Sequence, residues 1–393
     1  MDFFLLLLLL YFITQLLIRN VTVKYPMLSK KILNNLFLYH IFFFAVYYAT
    51  TIFSASDSKE YYKKAIEIGS DSNLLQFTGT KFIDNFTSLF VHLGLSYESI
   101  MFLFSWFGYI GFVYAYLFFR ENIPVNVKVF KRYDLLELLL FLPNMHFWTA
   151  SLGKGSLIFM GLMLFVYAIK KPKQRILILL IGVYFVYMIR PPVMLFVLSG
   201  VMVGLLTGRE KLGVGTRIIL VLASLAFLFR ASTTILGVAD IDKNSENVVS
   251  DFQDYANAQS DRLETSGSGV DMQSYPLPIK FFTFWFRPLF VDSPSILGLF
   301  SSAENLVYLL LFYKICNLRF VFFMRKAPYM VKMSAITFIV ASYAMTFVMS
   351  NLGIIMRQKT MVMYFGFFVV YYFLAEEQWN KEQQKKLNLS SVA

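Results

Sequence analysis

Apolar runs long enough to cross a lipid bilayer recur along almost the whole chain, and they constrain its fold more than any other feature. A spanning helix needs about 20 mostly apolar residues. The first run lacks a basic stretch and a small-residue cleavage site, so we interpret it as a retained span and not as a signal peptide. We predict about eleven spans, several of them short, near 3–18, 34–54, 99–119, 135–150, 157–169, 176–189, 193–207, 217–236, 294–313, 333–351 and 360–375.

The composition is that of a chain whose main solvent is lipid. Hydrophobic residues make up 58% of the 393 residues and charged residues only 15%, whereas soluble domains are about 45–50% apolar and about 25% charged. We therefore predict an all-α, polytopic integral membrane protein that forms one membrane domain over 1–393. The net charge of +12 then follows from membrane topology and does not indicate nucleic-acid binding.

The distribution of Lys and Arg predicts the orientation. Cytoplasmic loops carry an excess of these residues, and alternate loops here are markedly basic. This set of loops contains Arg19, Lys24, Lys30, Lys31, Arg120, Lys128, Lys131, Arg132, Lys170, Lys171, Lys173, Arg175, Arg209, Lys211, Lys314, Arg319, Arg325, Lys326 and Lys332. The prediction places the N-terminus outside and the C-terminal tail in the cytoplasm.

Two polar stretches fall on the predicted outer side, near 54–98 and 239–280. In the first, Phe82, Phe86, Leu89, Phe90 and Leu93 share one helical face, which predicts an amphipathic helix along the outer interface. The second is rich in glycine and serine, including Ser266 to Gly269, and is predicted to be a long mobile loop.

Cysteine and histidine are too few to favour a metal centre. The single cysteine, Cys316, excludes an internal disulfide and a cysteine-based cluster. The three histidines, His40, His92 and His146, are far apart in the sequence. No metal and no cofactor are predicted.

The segment directly after the second predicted span combines carboxylates with aromatic rings. Asp57 and Glu60 supply hydrogen-bond acceptors, and Tyr61 and Tyr62 supply faces on which a sugar can stack. Asp57 or Glu60 is a candidate general base. The ordinary alternative is a solvated helix start in which Ser56 or Asp57 is the N-cap.

The segment Pro143 to Gly155 joins two predicted spans at the outer face. Trp148 is typical of a membrane interface, and Lys154 lies between two glycines, where backbone amides can approach an anion closely. We predict that His146, Trp148 and Lys154 bind substrate. The alternative is an interfacial turn whose lysine reaches towards the headgroups.

Four arginines and a further lysine lie among apolar residues at the outer boundary. Two prolines stiffen the turn after Arg190, and Arg230 ends the following predicted span. Charges embedded at membrane depth usually face a partner or a water-filled cavity, and arginine is suited to bidentate capture of phosphate. The remaining members of this set are Arg287, Arg357 and Lys359. Contact with phospholipid headgroups is the alternative for Arg190 and Arg230.

Together, Lys154, Arg190, Arg287, Arg357 and Lys359 are predicted to form one cationic cavity open to the outer leaflet, which would suit a lipid-linked diphosphate.

Four segments resemble the bacterial Wzy-type polysaccharide polymerases, including the EpsG-like exopolysaccharide group. The resemblance covers most of the chain, although its motifs are short. The segments are Asp57 to Tyr62 with the helix after it, Pro143 to Lys154, Arg287-Pro288 before Glu304-Asn305, and Asn351 to Arg357.

The resemblance implies an inner-membrane enzyme with a GT-C-like arrangement of helices. It implies polymerisation of oligosaccharide repeat units carried on undecaprenyl diphosphate, on the periplasmic side, into O-antigen or exopolysaccharide. A chain-length regulator is a candidate partner. Arginines in outer loops are proposed to bind the donor in that family, and Arg190, Arg287 and Arg357 are the matching positions. No ligase-type catalytic histidine is evident, and His146 is the one nearby candidate.

Two other functions fit the same pattern. A GT-C-type glycosyltransferase that uses a lipid-phosphate sugar would need a catalytic acid in the first outer loop, where Asp57 lies. A transporter or flippase for lipid-linked glycans would usually show internal repeats, and none is visible in the sequence.

Overall fold

The computed structural model describes residues 2–68, 73–130, 132–209, 213–238, 248–265, 267–293 and 296–390. The chain divides into two compact units, unit 1 (Met1–Pro191) and unit 2 (Pro192–Ala393). The prediction of one membrane domain over the whole chain stays a prediction.

Unit 1 is helical apart from one short antiparallel pair of strands. Lys128 of the first strand pairs with Asp134 of the second. Its elements are α1 (Asp2–Lys24), α2 (Lys30–Phe53), α3 (Asp57–Ile68), α4 (Thr80–His92), α5 (Tyr97–Asn122), β1 (Lys128–Val129), β2 (Tyr133–Asp134), α6 (Leu135–Leu140), α7 (Pro143–Thr149), α8 (Lys154–Ile169) and α9 (Ile176–Ile189).

The regular elements among the described residues of unit 2 are helices, with 3₁₀ turns at Phe290–Asp292 and Lys359–Met361 and an isolated β-bridge between Gly269 and Asn351. Its helices are α10 (Pro191–Thr207, whose first residue ends unit 1), α11 (Val214–Val238), α12 (Val248–Glu264), α13 (Leu277–Phe286), α14 (Ile296–Tyr313), α15 (Leu318–Lys326), α16 (Tyr329–Val348), α17 (Leu352–Gln358) and α18 (Met363–Ser390). The all-α prediction is confirmed.

By length and composition, 4 helices among the described residues can cross a membrane: α1, α2, α5 and α16. A fifth span results if Gly298–Tyr313 and Leu318–Lys326, which meet at 78°, count as one broken span. Shorter apolar helices are Lys154–Ile169, Ile176–Ile189, Pro191–Thr207, Val214–Phe229 and Leu277–Phe286. The described residues thus include several helices that can cross a membrane, and the count of about eleven spans stays a prediction.

The lipid-facing character of α1 follows from its exposed side chains. Phe4, Leu8 and Phe12 leave 70%, 53% and 63% of their surface uncovered by protein. Such a large apolar surface is unfavourable in water and is stable where lipid covers it. Only Leu10, Thr14 and Ile18 on this helix are buried.

The predicted span 135–150 is two short helices instead of one. The carboxylate of Asp134 caps α6 by accepting from the backbone N–H groups of Leu136 and Glu137, at 3.0 and 3.2 Å. Pro143 is then the first residue of α7. A proline has no N–H and clashes with the preceding turn, so it begins a helix but does not continue one. The sequence interpretation had kept Pro143 inside a continuous span.

The predicted interfacial helix exists as α4, but its apolar face packs inside unit 1. The ring of Phe86 lies 5.8 Å from those of Phe104 on α5 and Phe185 on α9, measured between centroids. Phe82 is fully buried, and of the predicted face Leu93 alone lies largely exposed, just after the helix.

Part of the second polar stretch, 239–280, is helical, which corrects the prediction of a long mobile loop. It contains the 17-residue helix α12. Further along, the N–H of Val270 donates to the carbonyl of Ser350, and the N–H of Leu352 donates to the carbonyl of Ser268, both at 2.9 Å. Residues 239–247 and 266 lie outside the described residues.

Close helix packing in each unit depends on glycine. In unit 1, a Cβ added at Gly182 of α9 would lie 2.8 Å from the backbone nitrogen of Phe165 on α8. In unit 2, a Cβ added at Gly204 of α10 would lie 2.7 Å from the carbonyl oxygen of Tyr329 and 3.0 Å from Cβ of Met333, both on α16. Small residues let helix backbones approach in this way, and van der Waals packing then holds the helices together.

We predict that Gly204→Val destabilises unit 2, because its side chain must displace the backbone of α16. Overpacking of this kind costs about 1–3 kcal/mol. Thermal unfolding of the purified protein in detergent should show a lower melting temperature. Gly215→Val is the matched control, because no atom lies within 4 Å of a Cβ added there. Equal melting temperatures for the two variants would contradict the packing account.

Candidate functional site

The sequence-predicted site residues fall into both units. Unit 1 holds Asp57, Glu60, Tyr61, Tyr62, His146, Trp148, Lys154 and Arg190, and unit 2 holds Arg287, Arg357 and Lys359. Arg230 lies outside the residues whose side chains the structure describes. Each group is described within its own unit, and a single cavity shared by all five cations stays a prediction.

Two of the predicted segments meet at the start of α8. Lys154 is the first residue of this 16-residue helix, and Gly153 precedes it with φ of 151°. Side chains rarely tolerate this backbone conformation, whereas glycine adopts it readily. A Cβ at Gly153 would lie 3.3 Å from the ring of Tyr61 on α3. The structure therefore packs a tyrosine of the Asp57 to Tyr62 segment against the glycine beside Lys154.

The start of α4 connects Lys154 with the segment that carries Arg190. The ammonium of Lys154 donates to the hydroxyl of Thr80 at 2.7 Å. The N–H of Gly79 donates to the carbonyl of Met188 at 2.7 Å. Arg190 follows Met188 at the C-terminal end of α9, and its guanidinium is half-buried. Two predicted cations thus lie on segments that are both bound to the first residues of α4.

The two candidate bases lie on the exposed side of helix α3. Asp57 and Glu60 are exposed, whereas Ser58 and Tyr61 on the same helix are buried. The hydroxyl of Ser58 is hydrogen-bonded to that of Tyr97 at 2.7 Å, and the ring of Tyr62 packs edge-on against Tyr97. The carboxylates are therefore accessible from outside unit 1, and their catalytic role stays a prediction.

A carboxyl group that the sequence analysis did not select lies inside this cluster. Asp84 of α4 is only 5% exposed, and its Oδ1 is buried without a hydrogen-bond partner among the described residues. Burial raises the pKa of Asp84, and the charges of Lys64 and Lys154 partly offset that effect. A pKa shift caused by burial and specific cations is typical of functional sites.

The sequence gives no clear cue for Asp84. Asp84, Thr87 and Ser88 lie on the side of α4 away from Phe82 and Phe86, but the charged and exposed Lys81 lies on that side too. The structure buries Asp84, Thr87 and Ser88, which the amphipathic pattern does not predict.

His146 lies in the interior and contacts a histidine that the sequence interpretation treated as distant. Its Nδ1 lies 2.9 Å from Nδ1 of His40 on α2, and its Nε2 lies 2.8 Å from the carbonyl oxygen of Leu140. Its ring stacks on Phe112 with centroids 3.9 Å apart. Both ring nitrogens are therefore occupied, and the structure gives His146 no exposed surface. Substrate binding by His146 stays a prediction that would require unit 1 to open.

Trp148 is half-buried on α7. Its indole N–H donates to the side-chain oxygen of Asn144 at 3.1 Å. Its ring packs edge-on against Tyr47 of α2.

In unit 2, the backbone around Arg287 is held by two buried polar side chains. The side-chain amino group of Lys359 donates to the carbonyl of Arg287 at 3.1 Å and to the side-chain oxygen of Asn305. Asn305 in turn donates to the carbonyl of Pro288 at 2.8 Å. The guanidinium of Arg287 pairs with Asp292. Because Lys359 is only 1% exposed, its contacts make it a residue that positions Arg287.

Burial lowers the pKa of Lys359 to about 7, against the opposing attraction of Glu304. A neutral amine has two N–H donors, which matches the two acceptors that Lys359 contacts.

The half-buried side chain of Arg357 lies in the last turn of α17. Asn351 caps that helix by accepting from the N–H of Ile354.

Within the described ranges, no group of three or more His, Cys, Asp or Glu side chains could hold a metal ion.

In comparisons with known proteins, no family model, no curated protein and no solved structure matches the chain.

We predict that Lys359 makes the stability of the protein rise with pH. The unfolded lysine keeps its proton up to about pH 10.5, whereas the folded one releases it above about pH 7. Between these values the unfolded state binds more protons, so the free energy of unfolding increases as the pH rises. Melting temperatures in detergent from pH 7 upward should show this rise.

Lys359→Met should remove the part of the rise that Lys359 contributes, whereas Lys381→Met, which changes an exposed lysine of α18, should leave it intact. If Lys359→Met and Lys381→Met have the same pH dependence as the unmodified protein, the proposed burial of a neutral lysine is wrong.

Proposed function

We propose that this protein is a glycosyltransferase of the bacterial inner membrane that polymerises oligosaccharide repeat units carried on undecaprenyl diphosphate. The proposal includes about eleven spans in a GT-C-like arrangement. It also includes an outer N-terminus and a cytoplasmic C-terminus. The reaction takes place on the outer side, where the sequence pattern puts the candidate site.

The observation that carries the proposal is the attachment of Lys154 to the start of α4. Its bond with Thr80 holds an ammonium next to the buried Asp84, and Tyr61 packs on the adjacent Gly153. The backbone bond from Gly79 to Met188 ties the segment of Arg190 to the same place. A cation, a carboxyl group and an aromatic ring are the groups that a phosphorylated sugar substrate needs.

The chemistry gives these groups distinct roles. Transfer breaks the bond between the anomeric carbon and the diphosphate oxygen, so negative charge grows on the leaving group. A fixed cation stabilises that charge more in the transition state than in the bound substrate, and therefore accelerates the reaction. We assign this role to Lys154 and Arg190 in unit 1. For Arg287 and Arg357 in unit 2 it stays the prediction made from the sequence.

Arg287 suits the role because its backbone is fixed from two sides. Lys359 and Asn305 bind the carbonyls of Arg287 and Pro288, and Asp292 pairs with the guanidinium. A cation that is held before the substrate arrives needs no reorganisation during the reaction. Asp292 must share the guanidinium with the diphosphate or release it.

We predict that deletion of the gene replaces the glycan ladder on the host surface by single repeat units. Complementation with Lys154→Ala or Arg190→Ala should restore little of the ladder, because loss of one fixed electrostatic donor lowers a rate roughly a hundredfold to a thousandfold. Arg190→Lys should also be impaired, because lysine lacks the planar fork that binds two phosphate oxygens. The measurement is gel electrophoresis of the surface glycan.

Lys63→Ala is the control, because Lys63 is an exposed lysine of α3 outside the candidate site, and it should restore the full ladder. A ladder that survives gene deletion would overturn the proposal. If Asp57→Asn abolished activity while the Lys154 and Arg190 variants kept it, a glycosyltransferase that depends on a lipid-phosphate sugar would replace the polymerase.

A further inference from the structure

One face of α4 is polar although it is buried. Thr80, Asp84 and Thr87 follow one another at intervals of four and three residues, which puts them on the same side of a helix. Thr87 is fully buried, and its hydroxyl has no hydrogen-bond partner among the described residues. The Oδ1 atom of Asp84 is also buried and has no hydrogen-bond partner among the described residues. A buried polar group without a partner costs about 1–3 kcal/mol, so two of them on one side of a helix call for an explanation.

The side chain of Asp84 is only 5% exposed. Lys64 of α3 and Lys154 of α8 are the charged groups that act on it, and they partly offset the effect of burial. A carboxyl group in such a place takes up a proton more readily than a hydrated one, since burial disfavours its charged form.

We propose that Asp84 is the proton acceptor of the transfer reaction, an inference that rests on the proposed function. As the acceptor sugar hydroxyl attacks, its proton passes to a carboxylate oxygen of Asp84, and its oxygen forms the new bond to the anomeric carbon. The bond from that carbon to the diphosphate oxygen breaks, and its electron pair leaves on the diphosphate. The proton on Asp84 is afterwards released to water.

The environment of Asp84 differs from that of the exposed carboxylates. Asp57 and Glu60 lie on the outer face of α3, where water competes for their oxygens. Asp84 lies on the helix whose first residue binds Lys154, so a proton acceptor and a cation for the leaving group are attached to the same element.

The test is the pH dependence of chain growth by purified protein. The substrate is undecaprenyl-diphosphate repeat unit extracted from the gene-deletion strain. Asp84→Asn keeps the shape of the side chain but cannot accept the proton, so its rate should fall roughly a hundredfold to ten-thousandfold. The decline of rate at low pH should disappear with it. Asp84→Glu should keep a decline at low pH, with its midpoint displaced. Glu67→Gln, which changes an exposed carboxylate of α3, should behave as the unmodified protein does.

A second measurement does not depend on turnover. Infrared difference spectra between unmodified protein and Asp84→Asn should contain the C=O stretch of a protonated buried carboxyl, which disappears as the pH rises. The melting temperature of each variant in detergent checks that it is folded.

The outcomes separate the two proposals. If the unmodified protein extends the glycan and Asp84→Asn does so at the same rate, or more slowly with an unchanged pH profile, the role of Asp84 is overturned and the polymerase stands. If the unmodified protein never extends the glycan, the polymerase fails, and the role of Asp84 fails with it. Absence of the titrating infrared band would also overturn the role of Asp84.

Discussion

A polar group that is removed from water must find a partner inside the protein, and this constraint shapes both units. The exposed apolar rings of α1 are stable where lipid covers them, and lipid offers no hydrogen bonds. Each buried polar side chain therefore needs a partner in its own helix or in a neighbouring one. Where the partner exists, the contact fixes one element against another. Where it does not, the unsatisfied group is a candidate for function.

Unit 1 contains buried polar groups with partners and buried polar groups without them. Lys154 and Thr80 satisfy each other, and this bond joins α8 to α4. The His40 and His146 rings contact each other and two backbone carbonyls, and these contacts join α2 to the short helix α7. Asp84 and Thr87 differ, because the buried Oδ1 of Asp84 and the hydroxyl of Thr87 have no hydrogen-bond partner among the described residues. Both residues lie on the helix that carries the Lys154 contact, and for that reason we propose the reaction there.

In unit 2, buried polar side chains hold a backbone segment in place. Lys359 and Asn305 come from separate elements, and both donate to carbonyls of the Arg287-Pro288 segment. A lysine that the sequence pattern suggested as a ligand for phosphate is thus buried, and its contacts are internal. The arginine that it supports is the group that a substrate could reach, since Arg287 is only half-buried.

The sequence predicts helices well where one local property decides, and less well where distant contacts decide. The run 99–119 is apolar throughout and lies within α5, and Lys154 was selected because glycines flank it. Pro143 was underestimated as a helix start. The contact between His40 and His146 joins residues 106 positions apart, which no local pattern reveals. Asp84 was missed because an amphipathic pattern does not show whether the polar side of a helix meets water or protein.

The measurement that tests the central claim most directly is a double-mutant cycle on the rate of repeat-unit transfer by purified protein, with Lys154→Ala, Asp84→Asn and the double variant. If both groups act in one step at the start of α4, their effects are strongly non-additive, and the double variant is little slower than the slower single variant. If the two losses multiply, the groups act independently, and the single reaction site proposed for unit 1 is contradicted.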